Sequence, residues 1–435
     1  MPVRLRVVDR TTPMLLPVDL REWIAQDDLA HFVLEALETL ELSSAVLNET
    51  GSGSEQYPPG MMLAVLIYCY ANGIFSSRKI ERATYQHLSV RFLSGDTHPD
   101  HDSLCTFRRR NGPLLEKAFV HVLMLAREMG MLQLGTVSLD GTKIQAAAAK
   151  QRSLKYCDLQ KELAELEKKA QEHLQEAEKT DQGETADRDR LPKELAERRT
   201  RQARLQEAKA RLEARQQARS AEREKQREKA RAQGEHPPKK IPSEPSTQSS
   251  YNTTDPDSEL MPTRREGWVQ GYNAQLVVAA ESSLVVATEV CTQVTDRQQL
   301  APMVEKIPVE AGPVIHILAD TGYDNQSQRQ QVEKTAGRTV LCPPQNVPEQ
   351  PRNKRPKEYE KRIKQARQEM VERLKTAQGK ALYALREKTI EPVIGIIKSV
   401  LGFRRFSVRG LKHVRTEWLL VCLAYNLRKM SLCRA

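Results

Sequence analysis

Residues 314–325 read VIHILADTGYDN. The apolar run from Val314 to Ala319 has the length and composition of a buried strand. Thr321-Gly322 breaks it one residue after a carboxylate, Asp320. Residues 134–150, LGTVSLDGTKIQAAAAK, have the same build. A strand from Thr136 to Leu139 meets Asp140-Gly141 and then resumes or ends at Thr142 to Ile144. Two strands that each deliver an aspartate into a glycine-containing break predict carboxylates at the edge of one sheet.

The flanking residues supply the rest of that sheet. GYNAQLVVAA and SLVVATEVCTQV are apolar runs joined through Glu281-Ser282-Ser283, the pattern of a β-hairpin. Gln298 to Lys306 predicts a helix capped by Asp296, and Asn325 to Thr335 another, with Asp324 as a cap. Arg338 to Cys342 predicts a further strand. A long helical stretch follows, containing YALREKTIEPVIGIIKSVLGFRRF. Apart from residues 151–250, the order is strand, hairpin, helix, strand, helix, strand, helix. That order predicts an RNase H-like α/β sheet interrupted after its first strand, with Asp140 and Asp320 on neighbouring strands and Glu391 in the helical region behind them. Three converging carboxylates repel one another and attract hard divalent cations such as Mg2+ or Mn2+.

The interruption has its own composition. Residues 151–240 hold 43 charged side chains in 90, and no Phe, Trp or Tyr occurs from 157 to 250. Leu159, Leu163, Leu166, Ala170 and Leu174 recur at three- and four-residue steps, and Leu195, Leu205, Ala208 and Leu212 continue a sparser stripe. Strong helix formers fill the positions between them. This predicts two long helices folded back as an antiparallel coiled coil across a turn near 181–190, then a Pro/Ser linker. A solvated spacer or dimer arm is the plainer role; contact of the arginine-rich second arm with DNA is the alternative.

Residues 1–130 read as helices separated by short breaks. Asp27-Asp28 can cap a helix with Phe32, Val33, Ala36 and Leu37 on one face. MMLAVLIYCYANGIF is apolar all round and predicts a central helix. Asn72-Gly73 then breaks the chain before a helix from Ser77, in the manner of a helix-turn-helix. Asp102-Ser103 can cap a further helix ending in Arg108, Arg109 and Arg110, a basic run suited to phosphates. Residues 352–380 add eleven basic side chains against four acidic ones. Arg404 and Arg405 follow, and WLLVCLAYNL predicts a core helix packed on the sheet.

Overall charge agrees with a polyanionic partner: 68 Lys and Arg stand against 57 Asp and Glu, a formal +11. No stretch approaches the roughly 18 apolar residues of a membrane span. The seven cysteines are odd in number and contain no CxxC, which predicts a reduced setting without a disulfide framework. There is no signal-peptide pattern, so the expected location is cytoplasmic, associated with the nucleoid.

Taken together, these blocks resemble bacterial insertion-sequence transposases of the DDE type, in the branch with a helical N-terminal domain. YPPGMMLAVLIYCYANGIFSSRKIERA through PDHDSLCTFRRRN looks like that domain. SLDGTKIQAAAAK looks like the first-aspartate block, NTTDPDSELMPTRREGWVQGYNAQ the second-strand block, ADTGY the second-aspartate block and EPVIGIIK the glutamate block. The resemblance implies an acidic triad at Asp140, Asp320 and Glu391, acting as catalytic residues and as ligands of two Mg2+ or Mn2+ ions. It implies a DNA-contacting signature at Tyr383, Arg386, Glu391 and Lys398. It also implies cutting at the element's terminal inverted repeats, joining of the freed 3′-hydroxyls to target DNA, and at least a homodimer. The implied domains are a helical DNA-binding domain over 1–130, a catalytic domain over 131–435, and a coiled-coil insertion with its linker over 151–250. One spacing departs from the family's commonest pattern: four residues, not three, separate Arg386 from Glu391. On an unbroken helix this turns Arg386 away from Glu391, so a helix restarting at Pro392 is expected. A relative that binds DNA without catalysis, as a repressor or end-binding protein, is the alternative.

Overall fold

The structure, a computed structural model, describes residues 19–47, 55–180, 191–232, 237, 239–263, 267–335, 337–345 and 357–434. The turn expected near 181–190 lies outside them, as do residues 352–356 of the basic C-terminal stretch.

The chain divides into two units. The first comprises the described residues of Met1–Leu132 with Gly395–Phe403 and Leu419–Ala435. Its helices are α1 (Leu29–Glu38), α2 (Pro59–Ala71), α3 (Ser77–Gln86), α4 (Leu88–Leu93), α5 (His101–Arg110) and α6 (Gly112–Glu128). Asp28 caps α1 by accepting from the Ala30 N–H. Helix α2 is buried from Met62 to Ala71, as its unbroken apolar run requires. The break after it uses Gly73 at φ +76°, where a Cβ would lie 2.7 Å from the Leu401 carbonyl oxygen. Helix α5 is capped by Asp100, whose carboxylate accepts from the Ser103 N–H, and not by the expected Asp102-Ser103 pair. The C-terminal residues complete this unit: the Phe75 and Phe403 rings meet edge to face at 5.0 Å.

The second unit comprises Gln133–Ile394 and Arg404–Trp418. Its sheet contains β1 (Thr136–Gln145), β4 (Glu259–Thr263), β5 (Gly267–Ala279), β6 (Val285–Cys291), β7 (His316–Ala319) and β8 (Thr339–Leu341). The order is β4-β5-β1-β7-β8, with β6 also pairing with β5. Strands β1 and β5 are antiparallel, while β1, β7 and β8 run parallel. The hairpin between β5 and β6 turns through Ser283 at φ +59°. Helices α9 (Leu300–Glu305) and α10 (Gln326–Glu333) connect the later strands. Strand β1 runs through Asp140 without ending there, so Thr142 to Ile144 continue it.

Between β1 and β4 lie β2 (Ser153–Lys155), α7 (Tyr156–Thr180), α8 (Leu191–Ala232) and β3 (Ser250–Asn252). Leu159 and Leu163 of α7 share an apolar cluster with Leu205, Ala208 and Leu212 of α8. Tyr156 bonds Glu213, and Glu162 pairs with Arg201. Higher numbers on one helix meet lower numbers on the other, so the two run antiparallel.

Helices α11 (Lys357–Lys375) and α12 (Ala377–Gly395) cover β7 and β8. Met370 joins Leu318 and Leu341 in a buried cluster, with Leu374, Leu382, Tyr383 and Leu385 packed against it. Helix α13 (Leu411–Arg434) differs from the expected sheet-packing helix. Trp418 is buried on the sheet and donates to the Gln275 carbonyl at 3.2 Å. From Leu419 onward, however, α13 belongs to the helical unit.

Candidate active site

The parallel pairing of β1 with β7 aligns Leu139 with Ala319. Asp140 and Asp320 each follow that pair directly in the chain. Their local surroundings differ. Asp140 remains in the strand, and its Oδ1 accepts from the Gly141 N–H at 2.8 Å. Asp320 leaves the strand and opens the 3-10 turn Thr321–Tyr323, with its Oδ1 accepting from the Gly322 N–H at 2.8 Å. The Cys342 thiol donates to the Asp320 carbonyl at 3.0 Å and holds the backbone there.

Helix α12 packs over the face of β1 that carries Asp140. Ser138, two residues before Asp140 and so on the same face, bonds through its hydroxyl to Thr389 at 2.8 Å, both groups being buried. One turn earlier on α12, Arg386 Nη2 donates to Asp140 Oδ2 at 2.8 Å. Its Nη1 stands 3.7 Å from Glu391 Oε1. Arg386 is 10% and Asp140 18% exposed, whereas Glu391 is 59% exposed. The expected restart at Pro392 does not occur: α12 is continuous from Ala377 to Gly395 with Pro392 inside it. Proline removes the amide that would bond the Lys388 carbonyl, yet the helix persists because Ile390, Val393 and Thr389 are buried. Arg386 reaches Glu391 through the length of its side chain. A π-helical turn, Ile396–Val400, follows directly and contains Lys398.

Burial pushes the Asp140 carboxyl up to about 6; the Arg386 guanidinium opposes that shift, and the Asp320 charge reinforces it. A carboxylate so placed gains from any added cation. Hard oxygen donors of this kind suit Mg2+ or Mn2+. Among the described residues, no group of three or more His, Cys, Asp or Glu side chains is close enough to hold a metal ion. Arg386 is the cation that Asp140 meets.

The remaining expected DNA contacts separate into inward and outward groups. Arg108 is buried and bonds the Tyr70 hydroxyl, with its Nη1 3.4 Å from the Phe75 carbonyl. It is a core residue of the helical unit, which corrects the reading of 108–110 as a single phosphate-facing run; Arg109 and Arg110 are exposed. Tyr383 packs on the Leu318–Leu341–Met370 cluster, and burial pushes its phenol up to about 12. Arg404 and Arg405 are exposed. Both dock beside the end of β1: Gln145 N–H donates to the Arg404 carbonyl at 3.1 Å, and the Arg405 side chain donates through Nε to the Ala146 carbonyl at 3.1 Å. This lies about 17 Å along the strand from Asp140, at roughly 3.3 Å per residue.

Three aspartates have roles the sequence did not disclose. Asp296 does not cap α9, which begins after Gln299. Its carboxylate instead accepts from Asn273 Nδ2 at 2.7 Å and Gln275 Nε2 at 2.6 Å. Asp324 likewise does not cap α10, whose N-cap is Asn325; it accepts from the Gln345 N–H at 3.0 Å and lies 3.8 Å from Arg329. A third, Asp255, is fully buried, accepting from the Tyr272 hydroxyl at 2.8 Å and the Gly410 N–H at 3.1 Å.

Comparison with known families bears directly on this arrangement. Residues 248–427 match the family described as Transposase DDE domain, and residues 18–110 match the family described as Transposase domain (DUF772). The two matches, both to transposase families, support an insertion-sequence DDE transposase. The DDE match contains Asp320, Arg386 and Glu391, and Asp140 lies upstream of it, before the inserted helices. The second match covers α1 to α5 of the transposase's helical unit. No curated protein and no solved structure matches the chain. No helix among the described residues is long and apolar enough to cross a membrane.

Proposed function

We propose that this transposase cuts DNA at the ends of its insertion sequence and joins the freed 3′-hydroxyls to target DNA, with Asp140, Asp320 and Glu391 as its catalytic carboxylates. The observation that carries the reading is the shared guanidinium of Arg386, which lies against Asp140 and Glu391 beside the strand end that delivers Asp320. The strand order fits an RNase H-like sheet, the paired helices α7 and α8 a coiled-coil arm, and residues 1–130 a DNA-binding domain. Asp140, Asp320 and Glu391 would hold divalent ions, Mg2+ or Mn2+, two per site. When bound, such ions activate a water and stabilise the departing oxygen of a phosphodiester.

The chain's own groups have three tasks in this reading. Arg386 favours the ionised form of Asp140, which burial alone would protonate. The same side chain draws exposed Glu391 toward the sheet. Exposed Arg404 and Arg405, with Lys398, Arg109 and Arg110, contact phosphates; two ends must be held together, so a homodimer acts on the DNA. The test is incubation of purified protein with DNA carrying the element's inverted repeats and Mg2+. Nicked or joined strands are expected; binding without any cleavage would favour a repressor or end-binding protein.

A further inference from the structure

The face of β1 opposite Asp140 carries a buried polar network that the reaction as described does not use. Gly141 pairs across the sheet with Gln275 and Lys143 with Asn273, so these four residues share that face. Asp296 Oδ1 accepts from both Gln275 Nε2 and Asn273 Nδ2, and lies 3.6 Å from Lys143 Nζ. Gln275 is fully buried, and its Oε1 accepts the hydroxyl of Tyr323, itself fully buried. Tyr323 is the last residue of the 3-10 turn that Asp320 opens. The network lies directly on the backbone beside Asp140: a Cβ at Gly141 would run into Gln275 Nε2 and lie 2.5 Å from Asp296 Oδ1. Hydrogen bonds and the Lys143–Asp296 ion pair thus join the strand that carries Asp140 to the turn that carries Asp320.

We propose that Asp296, Gln275 and Tyr323 are positioning residues that fix the separation of Asp140 and Asp320, and through it the affinity of the site for a divalent cation. The inference rests on the reading of Asp140 and Asp320 as metal ligands. Its physical basis is the fixed register of the network. Gln275 presents its amide to Asp296 and its carbonyl to Tyr323, so its orientation is set from both ends and the turn cannot slide along β7 without breaking a buried bond. Outer-shell partners of metal ligands commonly alter metal affinity about 10- to 100-fold when replaced.

Mn2+ binding to the full chain without DNA, followed by electron paramagnetic resonance, tests this independently of turnover. Tyr323→Phe removes one oxygen and keeps the ring in the core, and Asp296→Asn keeps the shape of the acceptor. Each is expected to weaken Mn2+ binding about tenfold, at a temperature where circular dichroism shows the variant fully folded. Asp140→Asn is expected to abolish high-affinity binding. If Asp140→Asn abolishes binding while both other variants bind as the wild type does, the positioning role is overturned and the ligand reading stands. If Asp140→Asn binds Mn2+ unchanged, the ligand reading fails and the inference fails with it.

Discussion

Arg386 donates to Asp140 at 2.8 Å across 246 positions of sequence, and the same guanidinium lies 3.7 Å from Glu391. Both members of the first pair are largely buried. Removing one partner of such a pair leaves the other charge uncompensated, at a cost of about 3–5 kcal/mol. Arg386→Ala is therefore expected to lower unfolding free energy by about 3 kcal/mol in urea titrations, and to reduce strand cleavage. Arg386→Lys is expected to recover much of the stability without the activity, because an ammonium is a point charge that lacks the planar fork serving two carboxylates. Equal recovery of both would show that only the charge matters.

Gly141→Ala tests the crowding behind Asp140. The new methyl group would displace Gln275 or Asp296, and overpacking of this kind costs about 1–3 kcal/mol. A lower melting temperature together with loss of cleavage is expected. Wild-type stability in Gly141→Ala would mean that the buried network yields freely.

The candidate site and the sheet were legible in sequence to different depths. Asp140 and Asp320 could be read because each closes an apolar run ahead of a glycine, and the α7–α8 insertion because its charge density departs from the rest of the chain. Other features depended on contacts distant in sequence. Asp296 follows β6 and precedes a helix, which is where caps occur, and only the pairing of β5 with β1 shows that Asn273 and Gln275 claim it. Arg108 sits among three arginines and reads as surface, although it falls four residues after buried Leu104 on the inward stripe of α5. The continuity of α12 through Pro392 follows from the burial of Ile390 and Val393, which outweighs one missing hydrogen bond.

The two kinds of arginine should separate in a salt titration of DNA binding. Replacing exposed Arg404 and Arg405 together by Ala is expected to reduce the slope of log affinity against log salt by about 2, with little change in melting temperature. Arg108→Ala is expected to do the reverse, lowering the melting temperature through loss of its bonds to Tyr70 and Phe75. A stable Arg108→Ala protein with a reduced slope would return that residue to the DNA-binding surface.

Asp255 gives a pH dependence whose sign follows from its burial. Burial raises its carboxyl above the ordinary 3.8, although the Tyr272 hydroxyl and the Gly410 amide oppose the shift. The folded state therefore binds the Asp255 proton more tightly than the unfolded state. The stability this contributes is fully present below 3.8 and is lost as pH rises through the higher folded value. Compared with Asp255→Asn, which does not titrate, the wild type should lose relative stability as pH rises above 3.8. Guanidinium unfolding of both proteins across that range checks it; a difference that widens in favour of the wild type with rising pH would reverse the sign.

The most direct measurement is cleavage of DNA carrying the element's own inverted repeats by the wild type, Asp140→Asn, Asp320→Asn and Glu391→Gln, in Mg2+ or Mn2+, with binding to the same DNA recorded in parallel. The account predicts metal-dependent cleavage and joining by the wild type, none by the three variants, and unimpaired DNA binding by all four. Cleavage by any of the three variants at the wild-type rate would contradict it.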